Sequence, residues 1–412
     1  MPRTVAVVGA GPTGLALALM LARQGRRVVV HERFDEPKPI GAGFMLQPTG
    51  LYVLDRLGLT GQVKALGQPL EHIFGREARR RRVVLDVRYS DLKSPRPDGV
   101  NALGVHRAAI FQVLHAACLA EGVAFETSRE IASAADGRLT DARGATGPQF
   151  DLVVDAAGAR SPIARDLLSK QGGRRHELAW GALWATVPWP GQPFDATALE
   201  QVYRGAARMI GVLPVGARPD SPGRLATFFW SLKPADHDYW LRAGMERWKA
   251  EVRGLWPEVA GLLESIPDAG ALTLARYGHH TLPLPVADRL AVVGDAAHST
   301  SPQLGQGVNM GLLDALTLAE ALATHADPHE ALAAYARIRR WHVRLYQGLS
   351  MGFTPFYQAD GRALPWIRDH LLGKLARLPF AARILAATVS GVLLDPRQGS
   401  GERGDHPHAM GL

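Results

Sequence analysis

Arg289–Leu322 reads RLAVVGDAAHSTSPQLGQGVNMGLLDALTLAEAL. Its opening, Leu290 to Val293, is a short apolar run with a β-branched end, the pattern of a buried strand. Gly294-Asp295 stands at the carboxyl end of that run. A turn-rich segment with Ser299, Ser301, Pro302, Gly305 and Gly307 follows, and from Val308 to Leu322 the residues Leu312, Leu316, Ala319 and Leu322 recur at helical spacing. A carboxylate is therefore expected where a strand stops, with a helix N-terminus just past a glycine-rich turn. Asp295 is placed to accept a hydrogen bond from a sugar-like hydroxyl. The free N–H groups around Gly305, Gly307, Val308 and Asn309, with the positive end of the helix dipole, are placed to meet an electron-rich heterocycle.

The amino-terminal end has a matching construction. Val5-Ala-Val-Val8 predicts a buried strand, Gly9-Ala-Gly11-Pro-Thr-Gly14 opens a helical run to Arg23, and Val28–Val30 predicts a second strand that ends at His31-Glu32. Glu32 falls eighteen residues after Gly14, near the roughly 20 of a dinucleotide fingerprint. Gly9 permits the tight turn, Gly11 lets backbone approach a pyrophosphate, and Gly14 lets helix and strand pack closely. Glu32 is the candidate ligand for ribose hydroxyls. A lone GxGxxG carries little weight; its strand, helix and acid give it meaning.

Together the two ends resemble the single-component FAD-dependent aromatic hydroxylases, of the p-hydroxybenzoate, salicylate and ubiquinone-biosynthesis type, from about Val5 to about Trp341. The resemblance implies an α/β fold: a discontinuous Rossmann-like FAD-binding domain (1–70, 98–175 and 273–345), an inserted mixed or antiparallel substrate sheet (71–97 and 176–272), and a helical C-terminal region (346–412). It implies that Asp295 binds the ribityl chain of non-covalent FAD. The Gly305–Asn309 turn would face the pyrimidine edge of the flavin, and Pro302 would line its oxygen-reacting face. NAD(P)H would visit as hydride donor, and a flavin hydroperoxide formed with O2 would hydroxylate an aromatic or other electron-rich small molecule. An epoxidase, a reductase of a lipophilic substrate and a non-catalytic flavin sensor are the alternatives. The tryptophan-rich motif of flavin halogenases is absent.

Further residues join by the same likeness. Arg33 directly follows Glu32. The block Ile40-Gly-Ala-Gly-Phe-Met-Leu-Gln-Pro48 is similar to the salicylate-hydroxylase subgroup, with Gly41 and Gly43 allowing close backbone approach and Phe44, Met45 and Gln47 within reach of flavin or substrate. Val105-His106-Arg107 precedes a helical run, and the resemblance maps Arg107 onto an arginine that contacts FAD. His106 reads as a structural neighbour. Phe150–Val154 followed by Asp155-Ala-Ala-Gly-Ala-Arg-Ser161 looks like the family's Asp-Gly motif with Ala157 where the aspartate belongs, which weakens any expectation about the nicotinamide step. In HIFGREARRRRVVLDV (72–87), β-rich flanks surround Arg76 and Arg79–Arg82. That tip reads as a solvated turn, or more sharply as a landing site for NAD(P)H phosphates. The inner face of the substrate sheet draws on Trp180, Trp184, Tyr203, Met209, Phe228 and Trp230, about half of them plain packing. Tyr203, a phenol near a bound phenol, is the candidate proton relay.

Composition sets outer bounds. A chain of 412 residues, 47% hydrophobic, can bury a large core in two domains. No apolar run reaches ~18 residues, so no transmembrane span is expected, and the first strand begins too early for a signal peptide; the expected compartment is cytoplasm. The lone Cys118 excludes an internal disulfide or a CxxC pair. The net charge of +8 is arginine-rich and dispersed, with no aromatic-interleaved basic stripe, so nucleic acid is not expected and anionic cofactors account for part of the excess. No metal site is indicated. A monomer or homodimer with peripheral membrane contact stays open, since Ala381–Leu394 reads as a packing helix or one that touches lipid. Residues 396–412 read as a loose tail.

Overall fold

A computed structural model describes residues 1–36, 41–93, 95–373 and 378–394; the 396–412 tail and Ile40 lie outside them. The first sheet runs in the order Val286–Ala287, Leu290–Val292, Leu152–Asp155, Thr4–Val8, Arg27–His31 and Ala124–Glu126. Every pairing in it is parallel except the first. Strands buried on both faces need near-continuous apolar runs, which VAVV, VVV and LVV supply. The Pro12–Arg23 helix buries Leu15, Leu17, Leu19 and Leu21 against this sheet and the long Gly307–Thr324 helix. The fingerprint strand and the Gly294–Asp295 strand are thus neighbours but one, with Leu152–Asp155 between them. Cys118 is buried, its thiol donating to Leu15 O at 3.3 Å.

A seven-stranded mixed sheet lies over that layer, ordered Thr273–His279, His176–Pro188, Ser221–Leu232, Arg208–Arg218, Ala198–Arg204, His72–Glu77 and Val83–Arg88. Its sole parallel pairing joins Ala198–Arg204 to the hairpin strand from 72–77, which recruits the early hairpin into the later sheet. Alternation decides the faces. Phe228 and Trp230 point away from the parallel-sheet layer into a tryptophan cluster with Trp240, Trp248 and Trp256. Phe229, between them, points the other way and packs on Trp184 at 4.8 Å. Helical structure across 237–264 is broken at Gly244, whose φ is +86°, as well as at Pro257.

The two layers meet along a glycine seam. The small sheet Gly43–Leu46, Ala102–His106 and Gln68–Leu70 lies under Arg208–Arg218. A Cβ at Gly104 would stand 1.9 Å from Pro214 O, and one at Gly216 2.0 Å from Leu66 O. Gly43 N–H donates to Thr227 Oγ1 at 2.8 Å, and its missing Cβ would sit 2.3 Å from Val215. Gly43 therefore serves close approach of two sheets. A separate meander of Ile131–Ala135, Arg138–Asp141 and Thr146–Gln149 carries too few apolar residues to read as strands from sequence. The C-terminal Pro379–Ser390 helix buries Ala386 through Ser390 and leaves Phe380 and Ile384 exposed. Among the described residues no helix is long and apolar enough to cross a membrane.

Candidate active site

Two cavities meet between these layers, of 360 and 390 Å3, with Phe44, Arg107, Asp295, Gly307 and Val308 in the wall of both. The first is a groove over the carboxyl ends of the parallel strands, where open α/β sheets bind ligands. Gly9 (φ +102°) makes the turn, and a Cβ at Gly14 would lie 2.1 Å from Gly9 O. A Cβ at Gly11 would meet nothing within 4 Å, so that side of the loop faces open groove. No side chain caps the Pro12–Arg23 helix and no acid lies in its first turn, so its N–H groups and dipole are left for an anion. Glu32 is held in place by Ala10 N–H at 3.0 Å and Phe34 N–H at 3.2 Å, with lone pairs left for hydroxyls. Arg33 lines the groove with its guanidinium over Phe34. Arg129, which sequence reading passed over, lines it too, paired with Glu126.

Arg107 sits at the neck. Burial pulls its pKa down, while Asp295 and then Tyr277 oppose that fall, yet its side chain is exposed to the cavity. It packs against Gly41, where a Cβ would be 3.3 Å from the side chain, and its guanidinium lies 5.6 Å from the Phe44 ring. An arginine deep in the protein and open to a cavity fits a phosphate or polyol. His106 caps the same helix, its Nδ1 accepting from Ala108 N–H at 3.1 Å. Burial, then the Arg218 charge, pushes its pKa down to about 4, a neutral structural imidazole. Arg107→Ala is expected to weaken FAD binding by about 1.5–3 kcal/mol, roughly ten- to hundredfold. FAD titration of deflavinated protein measures it, and unchanged affinity removes Arg107 from the site.

The Gly294–Asp295 turn is fixed from behind. Asp314, fully buried, accepts from Gly294 N–H at 2.8 Å, His298 Nε2 at 2.5 Å and Arg339 Nε at 2.7 Å. Burial alone would raise its pKa, but the His298 and Arg339 charges and hydrogen bonds outweigh that and hold the carboxyl well below the ordinary range. Asp295 itself faces the cavity. The Gly307–Thr324 helix has no side-chain cap either, so Gly307 and Val308 present backbone at the neck. Gly305 (φ +62°) abuts Met45, and Gln306 Nε2 donates to Val389 O. Pro302 lines the second cavity.

Two expected ligands of the flavin line neither cavity. Asn309 Oδ1 accepts from Gln47 N–H at 2.8 Å, and its Nδ2 donates to Met45 O and Gly305 O. Gln47 Oε1 accepts from Tyr89 O–H at 2.8 Å. Both side chains are fully buried and tie the strand from 43–46 to the glycine turn, so they support the wall from outside. Gly14 also acts behind the lining. Tyr203 does line the second cavity, but its hydroxyl donates to Gln201 Oε1 at 2.7 Å and burial pushes its pKa well above the usual phenol value. That environment favours a fixed donor over a proton relay. Of the sheet side chains named from sequence, Trp184, Tyr203 and Met209 reach the cavity, and Trp180, Phe228 and Trp230 do not; Phe229 and Tyr277 line it as well. The arginines of the 76–82 tip line neither cavity, with Arg81 paired to Glu258 and Arg76 to Glu200 at 3.6 Å, as a surface turn would be. In the altered Asp-Gly motif Asp155 is buried and accepts from Ser161 O–H at 2.5 Å and Ala157 N–H at 3.0 Å. Burial raises its pKa to about 6 against those bonds. Asp155 thus braces the loop under the groove.

A parallel sheet with a glycine fingerprint, an acid for ribose, two uncapped helix N-termini and an arginine open to the cavity define a dinucleotide-binding flavoprotein. The family described as "FAD binding domain" matches residues 3–346, and the chain belongs to it. It is 28% identical over 349 residues to a FAD-dependent urate hydroxylase of Mycolicibacterium vanbaalenii, covering 81% of this chain and 84% of that one. It is 30% identical over 376 residues to a kynurenine 3-monooxygenase of Salinispora tropica, covering 84% and 78%. The crystal structure of Klebsiella pneumoniae HpxO complexed with FAD and uric acid superposes with a TM-score of 0.77 at 21% identity, over 94% of this chain and 97% of that one; at that identity the likeness speaks for the fold.

Proposed function

We propose that this chain is an FAD-dependent monooxygenase that hydroxylates a small aromatic molecule with NAD(P)H and O2. The observation that carries the reading is the continuity of the two cavities: a groove built for a dinucleotide opens, at Arg107, Asp295 and Gly307, into an apolar chamber beneath a sheet. Bound FAD supplies hydride acceptance and oxygen activation. The chain's own residues supply the rest. Glu32 would hold the ribose hydroxyls, the Gly11 and Thr13 N–H groups the pyrophosphate, and Arg107 and Asp295 the ribityl region. Backbone N–H at Gly307 and Val308, with the helix dipole behind it, would favour negative charge on a reduced ring without reorganisation. Pro302 has no N–H and would present an apolar ring beside the reacting face, from which the chamber would keep water. Relatives named for urate and kynurenine support a ring-hydroxylating role.

The test is threefold: bound FAD at about one per chain, NAD(P)H oxidation and O2 uptake accelerated by aromatic ligands, and a product heavier by one oxygen. Flavin-loaded protein that oxidises NAD(P)H at one unchanging rate and oxygenates none of a broad aromatic panel would overturn the proposal in favour of a sensor.

A further inference from the structure

We infer that the chamber selects an uncharged, lipophilic aromatic ring bearing one hydrogen-bond acceptor, with Gln201 as its specificity-determining donor and an apolar substituent running along the C-terminal helix. The inference rests on the monooxygenase reading and names its substrate class.

Charge is segregated along the seven-stranded sheet. Among the described residues four charged side chains line the second cavity: Arg107 and Asp295 at the neck, Arg175 beside Ala159, and Arg276 on the edge strand Thr273–His279. Gln201 and Tyr203 lie on Ala198–Arg204, with three strands between it and that edge. At ~4.8 Å per strand spacing this separates them by about 19 Å. At their end the walls are Ile73, Leu85, Leu199, Met209, Leu213 and Phe229. The nearby Arg368 is spent elsewhere. Its guanidinium lies behind the Tyr203 and Tyr357 rings, 4.7 and 5.2 Å from their centroids, and donates to Asp369, Phe356 O and Gly205 O. It does not line the cavity. A carboxylate entering this end would shed its water with no cation among the described residues to replace it.

Among the described residues the polar inventory at that end is small: Gln201, Tyr203, Thr388 and Tyr357, whose ring lies 5.4 Å from that of Tyr203. Thr388 donates its hydroxyl to Ile384 O of its own helix at 2.7 Å. The Tyr203 hydroxyl donates to Gln201 Oε1, which turns the amide and fixes it. Gln201 is nine-tenths buried, and among the described residues its Nε2 meets Met209 Sδ at 3.8 Å, a weak acceptor. An amide with two N–H donors is therefore held in an apolar chamber, suited to a phenol oxygen or a ring carbonyl. The partnerless Thr300 Oγ1 and Gln303 Nε2 belong to the turn at the flavin end. Leu385 and Val389, one helical turn apart, close the far wall and give an alkyl group its contact.

The experiment is calorimetric titration of the oxidised holoenzyme, without NAD(P)H, using 4-propylphenol, 4-butylphenol, propylbenzene and 3-(4-hydroxyphenyl)propanoate. Expected are at least tenfold tighter binding of 4-propylphenol than of the propanoate, and roughly fourfold more for the added methylene of 4-butylphenol. Propylbenzene should bind about tenfold more weakly than 4-propylphenol. In Gln201→Leu the two should become equal. Because that change strands the Tyr203 hydroxyl, the double variant Gln201→Leu/Tyr203→Phe, which removes both partners, must give the same equality. Equal or tighter binding of the propanoate overturns the inference, as does failure of every neutral ligand to bind. Equal binding of propylbenzene and 4-propylphenol in the parent overturns the role of Gln201. No oxygen transfer enters the measurement, so failure of the hydroxylase reading leaves these outcomes distinct.

Discussion

Asp314→Ala should cost about 3–5 kcal/mol, because it leaves the Arg339 guanidinium buried without its counter-charge. Out of a typical total of 5–15 kcal/mol, that is a large fraction. Arg339 is 2% exposed, and its remaining contacts are His342 Nδ1 at 3.1 Å and Met310 O at 3.3 Å. The loss should also reach function: Gly294 N–H would lose its acceptor, and the turn that presents Asp295 would lose its anchor. Urea unfolding monitored by tryptophan fluorescence, with FAD content measured in parallel, checks both. Asp314→Leu combined with Arg339→Leu should recover much of the stability. The acid limb follows from the same group. Its folded pKa is depressed, so its contribution is whole above the unfolded carboxylate value of about 3.9 and is lost as pH falls below it. In Asp314→Ala that segment of the stability–pH curve should flatten. A cost under about 1 kcal/mol would show that the network is dispensable.

The second large effect separates two glycines of one motif. Gly14→Ala puts a methyl 2.1 Å from the Gly9 carbonyl oxygen, backbone that cannot turn aside. The expected loss is about 1–3 kcal/mol or more of stability, together with FAD retention. Gly11→Ala meets nothing within 4 Å and should leave stability within about 0.5 kcal/mol. Its methyl would stand where a pyrophosphate approaches, so FAD affinity should fall at least about tenfold, the scale of one charge-assisted contact. Thermal melts of the deflavinated proteins and FAD titrations give the two numbers. Gly11→Ala that binds FAD like the parent would place the pyrophosphate elsewhere.

What the sequence disclosed best is what local backbone rules dictate. Gly9, Gly11, Gly14 and Glu32 needed only their spacing and flanking apolar runs, and Gly294–Asp295 with the following helix needed no more. Long-range pairing was less readable. Gln47 and Asn309 each stand beside a glycine-rich segment, and nothing local says that they bond to one another across the fold. The phase of Ser221–Leu232 was hidden for a similar reason: Phe228, Phe229 and Trp230 are all aromatic, so hydrophobicity cannot say which faces the flavin layer. Gln201 had a usable signal. It lies two residues before Tyr203 on one strand, so both share a face. Leu385 and Val389 had none, since a C-terminal apolar helix can close any wall.

The glycine seam bears on how such proteins can be recombined. Where backbone rests on backbone at Gly104 with Pro214 and at Gly216 with Leu66, a single methyl on either glycine is a collision, and no rotamer relieves it. The seven-stranded sheet is therefore not a cassette that can be lifted from one relative and set on another. A chimera would have to inherit Gly43, Gly104, Pro214, Gly216 and Thr227 from a single parent, although in the chain they lie far apart.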